Sequence, residues 1–230
     1  MKLPAYKWIA LIVTTIGSLM AAIDSTIVIL ALPNMLQSLH SDLVTMTWVI
    51  LGYLLVSTVL QLTFGRMADM FGRVRMYNLG FVVFTIGSVL CGIAPSAALL
   101  IGARVVQGIG GAMLSANAMA IITEVFPAEQ RGQAMGFNAV TWGAGSVLGP
   151  VLGGLILAVA SWRWIFLINL PIGVIGTLAA FLLLHDIEPK PSNERFDIPG
   201  ALLFCVGLVT LLLGLMSSIG GGWLSPSALG

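Results

Sequence analysis

Two charged residues, Asp24 and Arg104, lie inside long apolar stretches of the sequence. Asp24 stands nine residues before Pro33, where we expect the first span to end, and Arg104 stands nine residues after Pro95, where we expect the fourth to begin. At 1.5 Å per residue, both side chains lie about 13 Å below the outer surface of the membrane. A charge in hydrocarbon costs a few kcal/mol, so such residues pair or mark a transport path. The matching depths predict that the two side chains meet.

An acid and a base that meet inside a membrane could carry a proton. A nearby opposite charge favours the ionised form of a carboxylate, and burial without one favours the protonated form. Movement of Arg104, or arrival of a cationic substrate, could therefore load or unload a proton on Asp24. A permanent structural ion pair is the alternative interpretation.

Three further residues share the helical face of Arg104. Gln107, Gly108 and Gly111 follow it at i+3, i+4 and i+7. The two glycines could let another helix approach closely or leave room for a ligand. Packing alone would explain the glycines but not the arginine and glutamine, so we expect Gln107 to share the site of Asp24 and Arg104.

Glycines spaced by four mark the fifth span, in the segment GAGSVLGPVLGGL. Gly145, Gly149 and Gly153 predict a groove against which a neighbouring helix packs. Pro150 removes one helical hydrogen bond and predicts a kink beside Gly149. Such a bend is either a static packing device or a hinge or seal in a moving part.

The segment GRMADMFGRVRMY, residues 65–77, is the most heavily charged part of the chain. A cytoplasmic connector needs only basic residues to set the orientation of the neighbouring spans, so the acidic Asp69 calls for another explanation. It stands four residues before Arg73, a spacing that suits an ion pair holding the ends of the second and third spans together. Gly65 and Gly72 are expected to allow close approach and an unusual turn. We interpret Asp69 and Arg73 as an ion pair that breaks and re-forms, rather than as part of a plain loop.

These residues sit in a chain whose composition is that of a membrane protein. Of 230 residues 58% are hydrophobic and 8% are charged, whereas soluble domains carry about 25% charged residues. Net charge is +1, which gives no case for a nucleic-acid partner. We predict an all-α membrane protein, since a helix crosses the bilayer in about 20 residues. Seven apolar stretches are long enough, at about 8–33, 46–65, 76–94, 96–123, 134–160, 164–184 and 199–217.

The basic residues predict the orientation of these spans. The odd-numbered connectors hold only Arg163, and the N-terminus and even-numbered connectors hold eight basic residues. This asymmetry predicts a multi-pass protein of the inner or plasma membrane, with its N-terminus cytoplasmic and the C-terminus of the chain outside. The eight residues are Lys2, Lys7, Arg66, Arg73, Arg75, Arg131, Lys190 and Arg195.

One soluble-looking segment, DIEPKPSNERFD, divides the chain. We predict a six-helix lobe over residues 1–185, a cytoplasmic linker over 186–198, and a seventh helix with a truncated tail over 199–230. Cys91 and Cys205 both lie in apolar runs, so no disulfide, metal site or cofactor is implied. His40 and His185 lie at span ends, and no catalytic set accompanies them. An enzyme is therefore the disfavoured alternative, and a non-transporting membrane subunit is another.

Four of these segments together resemble the major facilitator superfamily, and within it the drug:proton antiporters with fourteen spans. The first resembles the first-span signature of that group, with Asp24 at its acidic position. The second resembles the cytoplasmic loop signature, with Met70 and Val74 where a basic residue is common. The third and fourth resemble the fourth-span and the antiporter fifth-span signatures. The matching residues are 22–33 and 65–73, then Arg104, Gln107, Gly108, Gly110 and Gly111, then Gly145, Gly149, Pro150, Gly153 and Gly154.

The resemblance implies that the six helices form an N-terminal lobe built from two inverted three-helix repeats. It implies proton-driven export of lipophilic or cationic small molecules, such as drugs, by alternating access. By this likeness Arg104 takes part in proton coupling, the bend at Gly149 and Pro150 governs closure together with the other signature glycines, and the Asp69 and Arg73 pair stabilises the outward-open form. Family members carry a second lobe, so the chain is expected to be a fragment or one half of a transporter. A metabolite exporter of the same fold stays open.

Overall fold

The computed structural model describes residues 4–185 and 197–221, and every regular element in those residues is an α-helix. Eight helices follow in chain order. They are α1 (Pro4–Ser38), α2 (Leu43–Phe71), α3 (Arg73–Ile93), α4 (Ala97–Val125), α5 (Ala128–Val159), α6 (Trp164–Leu167), α7 (Asn169–Leu183) and α8 (Ile198–Gly221).

Among the residues that the structure describes, six segments are long and apolar enough to cross a membrane, and they coincide with the first six predicted spans. Helices α1 to α5 make the first five, and α6 with α7 makes the sixth, over Trp164–Leu183. Helix α8 stands at the predicted seventh span, and its apolar part within the described side chains runs over Pro199–Leu211. Most of the predicted linker, residues 186–196, and the end of the tail, residues 222–230, lie outside the described residues.

The helices run further than the apolar stretches that predict them. Helix α1 continues through Pro33 to Ser38, so the expectation that the first span ends at Pro33 is wrong. A proline inside a helix removes a single backbone hydrogen bond, and the chain here continues as one helix. The following turn places His40 at φ 47° and Asp42 at the N-cap of α2. The Thr45 backbone N–H and hydroxyl donate to the Asp42 carboxylate and hold its pKa below the ordinary value.

A single residue, Gly72, connects α2 to α3. Its φ of 102° is a conformation that glycine adopts readily and other residues avoid, which confirms the predicted unusual turn. Asp69 lies in the last turn of α2 and Arg73 is the first residue of α3, so the charged segment belongs to the two helices and is not a loop. Gly65 lies within α2 with no atom within 4 Å of where a Cβ would stand, so the predicted close approach is absent there.

Helix α4 lies at the centre of the bundle, packed against α1, α2 and α3. The backbones of α3 and α4 lie in contact, because glycines of α3 face α4 and Gly110 of α4 faces α3. A Cβ at Gly87 would lie 2.6 Å from Cα of Gln107, and a Cβ at Gly80 would lie 3.1 Å from the backbone nitrogen of Leu114. Helix α5 packs along α1, and α7 packs against α3 and α1. This arrangement brings the polar faces of α1, α3, α4 and the sixth span together.

At one end of the bundle, the start of α1 contacts the ends of α4 and α7. The Tyr6 hydroxyl donates to the carbonyl of His185 at 2.8 Å and accepts from its backbone N–H at 3.1 Å. The Trp8 ring meets the Phe126 ring edge-on at 5.7 Å between centroids. These contacts close the six spans into one unit.

Candidate functional site

The Asp24 and Arg104 side chains meet as predicted, although the first span does not end at Pro33, from which the depth of Asp24 was counted. The Arg104 Nη1 donates to Asp24 Oδ2 at 2.6 Å, and the two side chains are 1% and 0% exposed. The pair is therefore sealed from both faces of the bundle. Since removing one partner of a buried ion pair leaves an uncompensated charge, the two residues depend on each other for their burial.

Arg104 is fixed by three further contacts, all from other helices. Its Nε donates to the backbone carbonyl of Val49 at 3.0 Å. Its guanidinium lies 4.2 Å from the centroid of the Tyr53 ring and 5.7 Å from that of Phe166. A flat cation between aromatic rings gains a cation–π attraction that is largest where water is excluded. The arginine is therefore oriented as well as neutralised.

The second oxygen of the carboxylate is held by two side-chain amides. Asp24 Oδ1 accepts from Gln107 Nε2 at 2.8 Å and from Asn169 Nδ2 at 2.9 Å. Gln107 lies where its predicted helical face put it, and its Oε1 accepts from Arg104 Nη1 at 2.6 Å. The carboxylate thus accepts hydrogen bonds on both of its oxygens.

Helix α3 completes the site with two side chains that sequence reasoning missed. The Ser88 hydroxyl accepts from Gln107 Nε2 at 2.7 Å and from Asn169 Nδ2 at 3.3 Å. The Cys91 thiol donates to Gln107 Oε1 at 3.6 Å. Both side chains are fully buried. Neutral polar residues are common in apolar spans, so neither carried a signal of its own.

Asn169 was also missed, and it had a readable local signal. The sixth span breaks between α6 and α7 at Ile168, the residue just before Asn169. Pro171 has no N–H to donate to the carbonyl of Leu167, which removes one hydrogen bond of a continuous helix at this point. An Asn two residues before a Pro in an apolar span therefore marks both the break and the side chain that reaches Asp24.

The glycines beside Arg104 pack against a helix and leave no room for a ligand there. A Cβ at Gly108 would lie 2.9 Å from the carbonyl oxygen of Tyr53, and one at Gly111 would lie 2.9 Å from the Tyr53 hydroxyl. Of the two readings, close helix approach is the observed one. These glycines let α2 come close enough for Tyr53 to cover Arg104.

The predicted groove on α5 receives α1. Cβ atoms at Gly145, Gly149 and Gly153 would meet Ala22, Ile23 and Ile27 at 2.5, 2.9 and 3.0 Å. Helix α5 runs without interruption through Pro150, which is exposed, and Gly154 has no atom within 4 Å of a Cβ position. Packing along three of the glycines is confirmed, and a hinge at Gly149 and Pro150 stays a prediction.

Asp69 and Arg73 form the predicted ion pair, with Arg73 Nη2 at 2.9 Å from Asp69 Oδ1. Arg73 Nη1 also donates to the carbonyl of Ala120 at 3.2 Å and lies 3.7 Å from Glu124 Oε2. Both acceptors belong to α4. Glu124 was not predicted, because its sequence position gives no link to residue 73. Arg73 therefore joins the ends of α2, α3 and α4.

A cavity of about 900 Å³ lies between α2 and α8, away from the Asp24 carboxylate. Its polar lining includes Gln61, Arg66, Asp69 and Asp197, and its apolar lining includes Leu62, Phe204 and Leu208. Gly65, whose predicted close approach is absent, opens onto this cavity. Thr63 and Cys205 contact each other at 3.8 Å where α2 meets α8.

Solved transporters share this fold. The proton:xylose symporter XylE bound to 6-bromo-6-deoxy-D-glucose superposes with a TM-score of 0.72 at 15% identity, over 95% of this chain and 55% of that one. A peptide transporter POT in complex with sulfate gives a TM-score of 0.71 at 16% identity, over 96% of this chain and 48% of that one. At these identities the likeness concerns the fold alone.

Curated relatives are much closer in sequence. The riboflavin transporter RibZ of Clostridioides difficile (strain 630) is 39% identical over 209 residues, which are 90% of this chain and 46% of the relative. The "Putative multidrug resistance protein MdtD" of Shigella sonnei (strain Ss046) is 40% identical over 217 residues, 94% and 45% respectively. The chain spans less than half the length of these relatives. The sequence profile of the Major Facilitator Superfamily matches residues 14–229. The chain is thus a multi-pass membrane protein that belongs to the Major Facilitator Superfamily.

Proposed function

We propose that this chain forms the N-terminal lobe of a proton-coupled exporter of drugs or other small molecules, which works by alternating access and is not an enzyme. The observation that carries the proposal is the Asp24 and Arg104 pair, sealed inside the membrane-spanning bundle within a network of polar side chains from α3, α4 and α7. Ionisable residues inside a membrane protein mark proton and substrate paths far more often than they serve packing.

The coupling step follows from the charges. While Arg104 donates to the carboxylate, Asp24 is ionised and the pair is neutral as a whole. A proton on Asp24 removes the attraction and frees Arg104, and a cationic substrate in its place would favour loss of that proton. Substrate and proton then compete for one carboxylate, which is the requirement for exchange.

Alternating access requires a second body for this lobe to rock against. The chain matches about half of each solved transporter, which supports a transporter built from this lobe and a second, C-terminal lobe. We propose the inner or plasma membrane as its place, with residue 1 on the cytoplasmic side, because eight basic residues fall on that side and one on the other. A non-transporting subunit is the competing role for this chain.

A second candidate cargo is a metabolite. One relative is named for riboflavin and another for multidrug resistance, at nearly equal identity. Uptake assays in vesicles with riboflavin and with a lipophilic cation would separate the two, since only the true cargo drives proton movement.

The test is drug-dependent proton release by the full-length gene product in proteoliposomes that enclose a pH-sensitive dye. Asp24→Asn keeps the size of the side chain and one acceptor oxygen but cannot change charge, so we expect it to abolish cargo-driven proton release. The matched control is Asp42→Asn, which alters an exposed carboxylate at a helix N-cap, where asparagine serves equally well.

Unchanged proton release in Asp24→Asn would remove Asp24 from the coupling role. Should the full-length product move no cargo in any condition, although it is folded and inserted, the role of a non-transporting subunit would be favoured instead.

A further inference from the structure

One buried amide oxygen of the site has no hydrogen-bond partner. Asn169 is 1% exposed, its Nδ2 donates to Asp24 Oδ1 and Ser88 Oγ, and its Oδ1 is unsatisfied among the described residues. A buried carbonyl oxygen without a donor is costly and rare in folded proteins. The other polar groups around Asp24 show why this one is left open.

A carboxylate and a carboxylic acid make opposite demands on a neighbour. The ionised form accepts hydrogen bonds only, and the protonated form also has an O–H that must donate to something. A side-chain amide can meet both demands, because rotation about its last bond exchanges the NH₂ group and the oxygen.

Asn169 is the neighbour with a free acceptor. Arg104 has donors only. Gln107 Oε1 already accepts from Arg104 and Cys91, and the Ser88 oxygen already accepts from both amides. Rotation of Gln107 would break bonds on both sides of its amide. Rotation of Asn169 breaks bonds on one side only: Oδ1 gains a partner, and the NH₂ group takes the place that Oδ1 leaves.

We propose that Asn169 is a positioning residue that holds Asp24 in both protonation states, its amide rotating when the carboxyl takes up a proton. In the ionised state the NH₂ group donates to Asp24, and in the protonated state Oδ1 accepts the new O–H. The carboxyl O–H is the only covalent bond that forms or breaks, and the other changes are exchanges of hydrogen bonds. This inference rests on the proposed proton coupling at Asp24.

The other groups that face Asp24 do not offer a free acceptor for the O–H of its protonated carboxyl. The titratable groups nearby are Arg104 from α4, Tyr53 from α2 and Cys91 from α3, and each is engaged or covered as described above. Helix α5 meets this turn of α1 through Gly145 and Gly149. Helix α6 contributes the Phe166 ring.

Infrared difference spectroscopy of the full-length gene product tests the proposal, with pH varied and no cargo present. The protonated carboxyl of Asp24 gives a C=O stretching band, identified by its loss in Asp24→Asn. Donation of its O–H to an amide oxygen lowers the frequency of this band. We expect Asn169→Leu, which is close in size but offers no acceptor, to shift the band to higher wavenumber.

Three further variants complete the experiment. Asn169→Ser restores a group that both donates and accepts, so the band should return toward its original position. Asn138→Leu is the matched control, since Asn138 is also buried but donates to Ser18, six residues before Asp24 on α1. If Asn169→Leu does not fold, Asn169→Ala gives the same shift.

An Asp24 band that keeps its position in both Asn169→Leu and Asn169→Ala overturns the proposal. A different result concerns the function alone: if the band responds to Asn169 but Asp24→Asn still couples cargo to protons, the hydrogen bond is real and the coupling role of Asp24 fails.

Discussion

At the scale of single residues, the site is specific for arginine as well as for positive charge. Arg104 uses Nη1 for Asp24 and Gln107, Nε for the Val49 carbonyl, and its flat face for the Tyr53 ring. A lysine ammonium is a point charge without a second set of donors or a flat face. The arrangement therefore fixes the direction from which the carboxylate is approached.

Arg104→Lys keeps the charge, so we expect the protein to insert but to be less stable and poorly coupled. The lost hydrogen bond from a charged group to the Val49 carbonyl is worth about 1.5–3 kcal/mol. Thermal melting in detergent and cargo-driven proton release measure the two effects. The control is Arg131→Lys, which also loses a bond from Nε to a backbone carbonyl, that of Phe126, but at an exposed residue where water can replace it, so both measurements should change far less. Normal melting of Arg104→Lys would show that the charge alone suffices.

Sequence alone predicts the two charged members of the site and Gln107, and it misses the other neutral members. Asp24 and Arg104 were identifiable because a charge in hydrocarbon is expensive, and Gln107 because it shares a helical face with Arg104. Ser88 and Glu124 could not be assigned, because their partners lie far away in sequence and neither residue is unusual where it stands. Asn169 lies between these cases, since Pro171 marks the place of the residue in the span but does not show that its side chain points toward Asp24.

At the scale of helices, the signature glycines divide into two kinds. Gly149 faces α1, where any Cβ would contact the Ile23 carbonyl and Thr26. Gly154 lies on the same helix with open space beside it. The first is required for the packing described here, and the second is free for a role outside this lobe.

Gly149→Ala should therefore destabilise the chain by roughly 1–3 kcal/mol, because the added methyl overpacks the contact between α1 and α5. Gly154→Ala should be neutral or stabilising by up to about 1 kcal/mol, since alanine favours the helix. Thermal melting of both variants in the same detergent gives the comparison. Equal loss of stability in the two variants would contradict this assignment of the packing face.

Hydropathy predicts which segments are helices better than it predicts where they end. The apolar window closes near Pro33 and opens near residue 134, whereas α1 ends at Ser38 and α5 begins at Ala128. A helix continues beyond the hydrocarbon core as long as its backbone hydrogen bonds form. The residues there are polar, so hydropathy does not detect them. The break at Ile168 leaves no trace in the hydropathy, because most residues around it are apolar, and only Asn169 and Pro171 mark it.

At the scale of the whole molecule, Arg73 ties the ends of three helices into one body. It contacts Asp69 on α2 and Ala120 and Glu124 on α4, and it begins α3 itself. If the lobe moves during transport, we expect the ends of α2, α3 and α4 to move together. The ion pair of Asp69 and Arg73 then stabilises the conformation in which these three ends are in contact.

Asp69→Asn should slow transport severalfold while leaving the amount of inserted protein unchanged. The ion pair is partly exposed, at 33% for Arg73 and 44% for Asp69, so its loss costs at most about 1 kcal/mol of folding stability. Transport rate and membrane content in the same vesicles test this. Glu129→Gln, another exposed acid at this end, is the control. Transport at the normal rate would limit Asp69 to a structural role.

The contact between Tyr6 and His185 gives the six-helix lobe a ring-like backbone. Residues 179 positions apart in sequence share two hydrogen bonds, and their rings lie 4.1 Å apart. A short peptide joining these two positions would span almost no distance, so a new start could be placed in a connector such as the one between α1 and α2. The lobe is thus a natural substrate for circular permutation, and the order in which its helices are synthesised can be separated from the way they pack.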